Sequence, residues 1–532
     1  MIPTKPQGAD PGTPRRPGRS ALGAVSGLLA AFAGLALAQL AAAAVRPEAA
    51  PITAVGGAVI DATPAAVKEW AIRRFGTDDK LVLNLGIGAL LAAVALAAGL
   101  LAVRRPAAGT ALAAAFGVLG AAAALGRPEA AWQDALPSLA GGVAAAGVLY
   151  LLVRAIPRPR PSGAGPPGAM DRRGFGRLAL ATLALSAGAG YAGRRLGAFG
   201  DAGATASRAG FALPPPTVPA PPVPAGSELR IPGTTPFITP NRTFYRVDTA
   251  LVVPRVDADT WRLLVHGDGV SRPLTLGLRE LLDRPLVEHD ATLTCVSNEV
   301  GGPYAGNARW LGVRLADLLR EAGVRPPSQG GPADQLVARS VDGMTLGTPV
   351  EAVMDGREAL LAVGMNGEPL PFRHGFPVRM IVPGLYGYVS ACKWLRELRL
   401  TTFAAYDAYW VRRSWAQQAP VKTQSRIDTP RPFAELAAGR VAVAGVAWAL
   451  HRGIARVEVR ADAGPWREAR LGAADGNDTW RQWVWLWEAA PGGHTLQVRA
   501  TDGTGAVQTE ERAGTLPDGA TGRHTVTVRV RG

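Results

Sequence analysis

Cysteine is nearly missing from this chain. Cys295 and Cys392 are the only two in 532 residues, too few for a disulfide framework, and no C-x-x-C pair exists to suggest a zinc ribbon or C-x-x-C-H haem attachment. Histidine is scarce as well. All six, His266, His289, His374, His451, His494 and His524, lie beyond residue 265, so the apolar N-terminal part lacks axial ligands for haem b, and no haem is expected. Neither a G-x-G-x-x-G after a strand nor a G-x-x-x-x-G-K-[ST] loop occurs, which removes the common nucleotide sites. Charge is absent from five apolar runs, which argues against an ion or proton path through them.

What is present begins with a basic excess of +15. The arginines cluster beside apolar runs rather than on an aromatic-interleaved basic helix, so the excess points to a lipid bilayer and not to nucleic acid. Residues 1–19, rich in Pro, Gly and Arg, are expected to be a disordered cytoplasmic tail. Residues 20–199 then hold Ala21 to Val45, Leu81 to Val103, Ala111 to Leu125, Leu136 to Val153 and the shorter Leu178 to Ala192. A span needs about 20 apolar residues, so this is an anchor of about five helices. Arg15, Arg16 and Arg19, then Arg104 and Arg105, then the arginines from Arg154 to Arg177 fall on one side if all five cross. The positive-inside rule makes that side cytoplasmic and puts everything after the fifth run outside, at the plasma membrane. Arg172-Arg173-Gly174-Phe175 before the last run also resembles an internal twin-arginine signal, and that reading stands beside the plain helix. Residues 200–226 include the proline-dense FALPPPTVPAPPVPAG, expected to be a semi-rigid polyproline stalk.

The stretch TLTCVSNEVGGPYAGNARWLGVRLADLL, 292–319, carries Cys295. Ala291, Leu293 and Cys295 alternate with polar neighbours as on a strand, and Asn298, Gly301, Gly302 and Pro303 force a turn. Trp310, Val313, Leu315, Leu318 and Leu319 are spaced as the apolar face of a helix. Three readings of Cys295 stay open on position alone: a small buried hydrophobe, a disulfide with Cys392, or a thiolate on a soft metal.

TLTCVSNEVGG followed by RWLGVRLADLL, then Asp342 in SVDGMTLG, MNGEPLPFRHGFPVRMIVPGLYG and ACKWLREL, resembles the sulfite oxidase family of molybdopterin-dependent oxidoreductases, in a membrane-anchored bacterial form. The resemblance runs from about Asn241 to the C-terminus. It implies molybdenum held by a pyranopterin dithiolene and by Cys295, which becomes both the metal ligand and the catalytic residue. It assigns Asn241, Tyr245 and Arg246 of NRTFYRVD, Asn298, Asp342, His374, Arg379, Ser390 and Lys393 to the cofactor, with Gly384 and Gly387 letting backbone approach it closely. Arginine and imidazole suit a ligand with a phosphate and ring hydrogen-bonding groups. The implied fold is multi-domain: the anchor, an α+β molybdopterin domain over 227–408, and an immunoglobulin-like β-sandwich over 409–532 of the type that pairs subunits, so a homodimer is a further expectation. RVEVRAD, TWRQWVWLWEA, HTLQVRATD and RHTVTVRVRG support the last domain by their alternation, with Trp483, Trp485 and Trp487 on one face packed into its core.

The implied activity is oxygen-atom transfer on a small, sulfur-containing substrate, with electrons exchanged with a separate cytochrome or quinol-linked protein. The alternative is a non-catalytic surface protein that kept the fold for binding. The family surrounds its substrate anion with arginines, and here the chain departs from it. Val247-Asp248 follows Arg246 where the family has Asn-His, Glu299 and Val300 stand where a second arginine is expected, and only Arg523 is available near the C-terminus. A neutral substrate such as a sulfoxide, or a small oxyanion reached differently, is therefore expected above sulfite.

Overall fold

The computed structural model describes residues 18–64, 67, 70, 71, 74, 75, 79–127, 130–157 and 172–532. Nearly all of the expected tail 1–19, and residues 158–171 of the basic connection, lie outside the described residues. The chain divides into two compact units, Met1–Gly200 and Asp201–Gly532.

The first unit is helical: α1 Arg19–Val45, α2 Pro51–Ala62, α3 Asp79–Arg104, α4 Pro106–Leu125, α5 Leu136–Arg154 and the start of α6, Arg172–Ala209. Small residues decide how these helices meet. A Cβ on Gly34 would stand 2.6 Å from the Gly141 carbonyl oxygen, and one on Gly117 2.7 Å from the Gly142 Cα. Backbone therefore lies on backbone, the packing open to helices that gain nothing from hiding apolar surface from each other. The hydroxyls of Ser26 and Ser186 return to carbonyls four residues back at 2.8 and 2.7 Å, satisfying them inside their own helix. Four helices among the described residues, Arg19–Val45, Leu81–Arg104, Pro106–Leu125 and Trp132–Arg154, are long and apolar enough to cross a membrane. The fifth expected run is not one of these four. Leu178 to Ala192 lies within the longer helix α6, between Arg177 and Arg194.

The second unit opens with the end of α6, whose Arg208 donates to the carbonyls of Leu370 and Pro369 at 2.8 Å each. The proline-dense segment is not a free stalk. Thr217 and Val218 donate their amides to the Leu286 carbonyl at 2.8 and 3.0 Å, Glu288 donates back to Val218 at 2.9 Å, and Phe211 meets Phe376 edge-on at 6.0 Å. Extended backbone with prolines confined to positions that need no donor is suited to an edge strand, and this one caps a sheet.

The first part of this unit has ten strands among the described residues: β1 Arg262–Gly267, β2 Leu274–Gly277, β3 Leu286–Thr294, β4 Ala305–Arg314, β5 Gln335–Ser340, β6 Thr345–Pro349, β7 Leu360–Met365, β8 Glu368–Pro369, β9 Arg379–Ile381 and β10 Leu395–Thr401. One sheet runs β2-β1-β10-β5-β6, the other β3-β4-β7-β8 with β9 on β7. Trp310 and Val313, expected on a helix after Cys295, are on β4, and only Leu315, Leu318 and Leu319 are on the helix Leu315–Glu321. Both faces of β4 are buried, and such a strand reads as a continuous apolar run that spacing cannot separate from a helix.

Beyond it lie β11 Gln424–Thr429, β12 Glu435–Ala437, β13 Gly439–Trp448, β14 Ile454–Ala461, β15 Arg467–Glu468, β16 Arg470–Leu471, β17 Arg481–Ala489, β18 Gly492–Asp502 and β19 Thr525–Arg531. They make two sheets, β11-β13-β17-β16 and β12-β19-β18-β14-β15. Trp483 and Trp487 are buried in the core these sheets share, and Trp485 packs against it.

Candidate active site

The β3–β4 hairpin sets the position of Cys295. Its strands pair from Leu286 with Val313 to Thr294 with Ala305, and the connecting loop closes through the Cys295 amide on the Tyr304 carbonyl at 2.9 Å. The Asn298 side-chain oxygen accepts from the Tyr304 amide at 2.8 Å. Gly301 sits at φ +82°, where a Cβ would strike the His524 ring. Asn298 thus shapes the loop that presents the sulfur. Both cysteines are free thiols, which removes the disulfide reading. Burial raises the Cys295 pKa, opposed by hydrogen bonds to Ser297 and by the Lys393 charge. Both cysteines are buried, Cys295 at 8% exposure and Cys392 at 3%.

Around it the expected residues converge from four segments. Gly375, at φ +110°, lies where a Cβ would be 3.1 Å from both the Arg379 Cβ and the Lys393 Cα. Arg379 donates to the His374 carbonyl at 3.2 Å and lies 5.1 Å from the centre of the Trp310 ring. His374 Nε2 is 3.0 Å from the Asn241 carbonyl. A carbonyl only accepts, so Nε2 carries the proton. Burial and then the Arg379 charge hold this imidazole down to about 3, so it is neutral and presents Nδ1 as an acceptor. Burial draws Arg379 to about 10, and Lys393 to about 8 against the pull of Asp248. Tyr245 stacks on Phe244 at 5.3 Å, and burial followed by the Cys295 charge raises its phenol. Asp342 reaches the same cluster electrostatically through Cys392, whose thiol burial and Asp342 both push up.

Other expected contacts are occupied by the protein itself. The Asn241 amide is held by the Met365 carbonyl at 3.0 Å, by Glu368 and by Asn366. Ser390 Oγ lies 3.0 Å from the carbonyls of Leu385 and Tyr386 in its own turn. Gly387 faces the site, with the Thr294 carbonyl and the Tyr245 hydroxyl 3.7 and 3.9 Å from its would-be Cβ, whereas Gly384 faces His451 and Arg357. Arg523 is turned away, paired with Glu510 at 2.6 Å and stacked on Trp466.

Among the described residues, three polar atoms in these segments are buried with no partner: Nε of Arg379, Nε of Arg373 and Oγ1 of Thr294, next to the cysteine. Such orphans are costly unless something satisfies them. Two guanidinium donors and a thiol suit a ligand with an anionic, hydrogen-bonding organic part and a soft metal.

The comparisons with known proteins agree. Residues 250–410 match the oxidoreductase molybdopterin binding domain. Mitochondrial sulfite oxidase of Rattus norvegicus is 33% identical over 294 residues, covering 48% of this chain and 52% of that protein. Sulfite oxidase of Gallus gallus is 34% identical over 295 residues, covering 47% and 62%. Residues 250–410 are thus a molybdopterin-binding oxidoreductase domain, similar to that of sulfite oxidases. Its cofactor is accordingly molybdenum-molybdopterin. The chain spans about half to three-fifths of the length of these curated relatives. The sulfane dehydrogenase SoxCD of Paracoccus pantotrophus aligns at a TM-score of 0.48 with 26% identity, over 56% of this chain and 82% of that one.

Within the family's pattern, two residues went unassigned by sequence. Asp248 holds Arg246 and Lys393 together, and a signal existed in its displacement of the family's Asn-His pair. Tyr386 is buried close enough to Cys295 to feel its charge and takes a hydrogen bond from the Lys422 backbone. Nothing in GLYG marks it, because the segment that covers it comes from residues 416–422 and 516–519.

Proposed function

We propose that this protein is a membrane-anchored, extracytoplasmic molybdenum-cofactor oxidoreductase that transfers an oxygen atom on a small sulfur-containing substrate, by sulfoxide reduction or sulfite-type oxidation. The observation that carries this is the convergence on Tyr245 of the buried Cys295 thiol and of Arg379, whose buried Nε has no acceptor. Cys295 would hold the metal as thiolate. Arg379, His374, Lys393, Asp342 and Tyr245 would hold the pterin, with Asn241, Asn298 and Ser390 fixing the backbone around it, while the Arg246 fork is taken by Asp248. When bound, the cofactor supplies the redox change and the oxygen transfer. The chain's own groups would orient it: Nδ1 of His374 would accept from a ring donor, and the raised Tyr245 and Tyr386 phenols, within reach of the Cys295 charge, remain protonated.

Four long apolar helices support an anchor. With α6 as a fifth crossing, the arginine distribution puts the catalytic unit outside. Electrons would come from a separate cytochrome or quinol-linked protein, and the two C-terminal sheets would form an immunoglobulin-like sandwich capable of pairing subunits. Metal analysis tests the central reading. Purified wild type should carry molybdenum and pterin, and Cys295→Ser should lose most of the metal; equal, negligible metal in both refutes it.

A further inference from the structure

Arg246 is the cation nearest in sequence to the site's tyrosine, and its guanidinium is already engaged. Its Nε and Nη2 lie 2.7 and 3.1 Å from the two oxygens of Asp248. The same carboxylate takes Lys393 Nζ at 2.6 Å, and that ammonium also donates to the Val247 carbonyl at 3.2 Å. The Asp248 side chain is 8% exposed and that of Lys393 12%. A bidentate arginine pair sharing its carboxylate with a buried ammonium is a strong, rigid arrangement. It occupies the Arg246 fork and cancels one of the positive charges gathered here.

The cations gathered near Cys295, Lys393 and Arg379, are assigned above to the cofactor, which leaves neutral groups for a substrate. Tyr245 and Tyr386 contribute neutral hydroxyls, and Glu299, in the loop that follows Cys295, is an exposed carboxylate. A dianion entering would find the Arg246 guanidinium occupied and a carboxylate beside it, whereas an S=O group needs one or two neutral donors.

Resting on the function proposed above, we propose that Asp248 sets the charge of the substrate: by holding Arg246 and Lys393 it denies a dianion its guanidinium and confines the site to neutral S-oxides. In the reaction so confined, one sulfoxide, two protons and two electrons give one sulfide and one water. The S=O bond breaks, its oxygen leaves as the water, and an electron-transfer protein supplies the electrons. Asp248 is thus a specificity residue acting through Arg246.

The test uses full-length protein in detergent, with sodium sulfate as the probe and thermal unfolding as the readout, alongside molybdenum and pterin content. Wild type should show little sulfate-dependent stabilisation, and Arg246→Gln alone should leave that response unchanged. Asp248→Asn should bind sulfate at least about 10-fold more tightly, the worth of one released charged hydrogen bond, and adding Arg246→Gln should remove the gain. The proposal is overturned if Asp248→Asn binds no more tightly, or if wild type binds sulfate and Arg246→Gln abolishes it. The second variant decides even where the first does not fold. Loss of molybdenum in Asp248→Asn alone would make Asp248 a cofactor-holding residue and overturn the proposal while leaving the family reading intact. Molybdenum missing from wild type would instead sink that reading, and the sulfate titration would still judge Asp248.

Discussion

The Asp478 carbonyl accepts the Thr292 amide at 2.9 Å, three residues before Cys295 on the strand that leads to it. The Asp478 carboxylate meanwhile bridges His289 Nε2 at 2.9 Å and His451 Nδ1 at 3.3 Å, and the Trp480 amide donates to the Thr292 hydroxyl at 2.9 Å. The outer edge of β3 would otherwise be an open edge. It is covered by the proline segment at Leu286 to Glu288 and by this turn of the C-terminal region at Thr292, so the strand carrying the sulfur is held along its length.

This clamp predicts a pH dependence. Burial pulls His289 down, but its hydrogen bond to Asp478 and nearby carboxylates outweigh that and raise it. Burial pushes Asp478 up, yet the two histidines bring it to about 2. The His289 contribution is present below its unfolded value near 6.5 and is lost as pH rises through its raised folded value; the Asp478 contribution is present above about 4 and is lost toward 2. The clamp's own contribution, read as the difference in thermal unfolding between wild type and Asp478→Asn, should therefore be greatest between about pH 4 and 6.5 and decline above it. A difference that stays the same as pH rises would show that the clamp does not titrate in this way.

Thiol reactivity gives a second prediction. Both cysteines are free and burial raises both. Without reductant, unfolded protein should release two thiols to a colorimetric reagent, while the folded protein should react slowly, Cys295 before Cys392 in metal-free samples. A count of zero on unfolding would establish a disulfide and end the metal-ligand assignment.

Two glycines should separate folding from cofactor retention. Gly301→Ala demands a side chain at φ +82° against the His524 ring, which is pinned by the Ile427 amide at 3.0 Å; it should cost about 1–3 kcal/mol, read by denaturant unfolding. Gly387→Ala meets only ordinary contacts at 3.7 Å or more, so its stability should change by less than about 1 kcal/mol. Its added methyl points at the site, and pterin content should fall. Full pterin content in Gly387→Ala would mean the cofactor does not approach that backbone.

Topology is checked by reporter fusions ending at Gly226. An export-dependent reporter should be active there and a cytoplasm-dependent one silent; the reverse would mean that α6 does not cross.

Some of this is legible from residues alone. Four of the apolar runs are long helices because their Ala- and Leu-rich composition favours the helix. The alternation in TWRQWVWLWEA is β17, since a period of two fits a strand, and it places Trp483 and Trp487 in the core. Trp310 and Val313 mimic a helix in the sequence because a doubly buried strand has no period, and Arg523 looks available because nothing local shows that Glu510 and Trp466 hold it.

The linear chain by itself determined the helices, the alternating strands, and a cysteine placed before a forced turn, since each follows from local spacing and backbone sterics. Tertiary structure decided what that cysteine faces. Asp248 reaching Lys393 across 145 positions, and Asp478 reaching Thr292 from the far end of the chain, are consequences of sheets brought together by burial of apolar surface, and no local pattern encodes which distant carboxylate arrives.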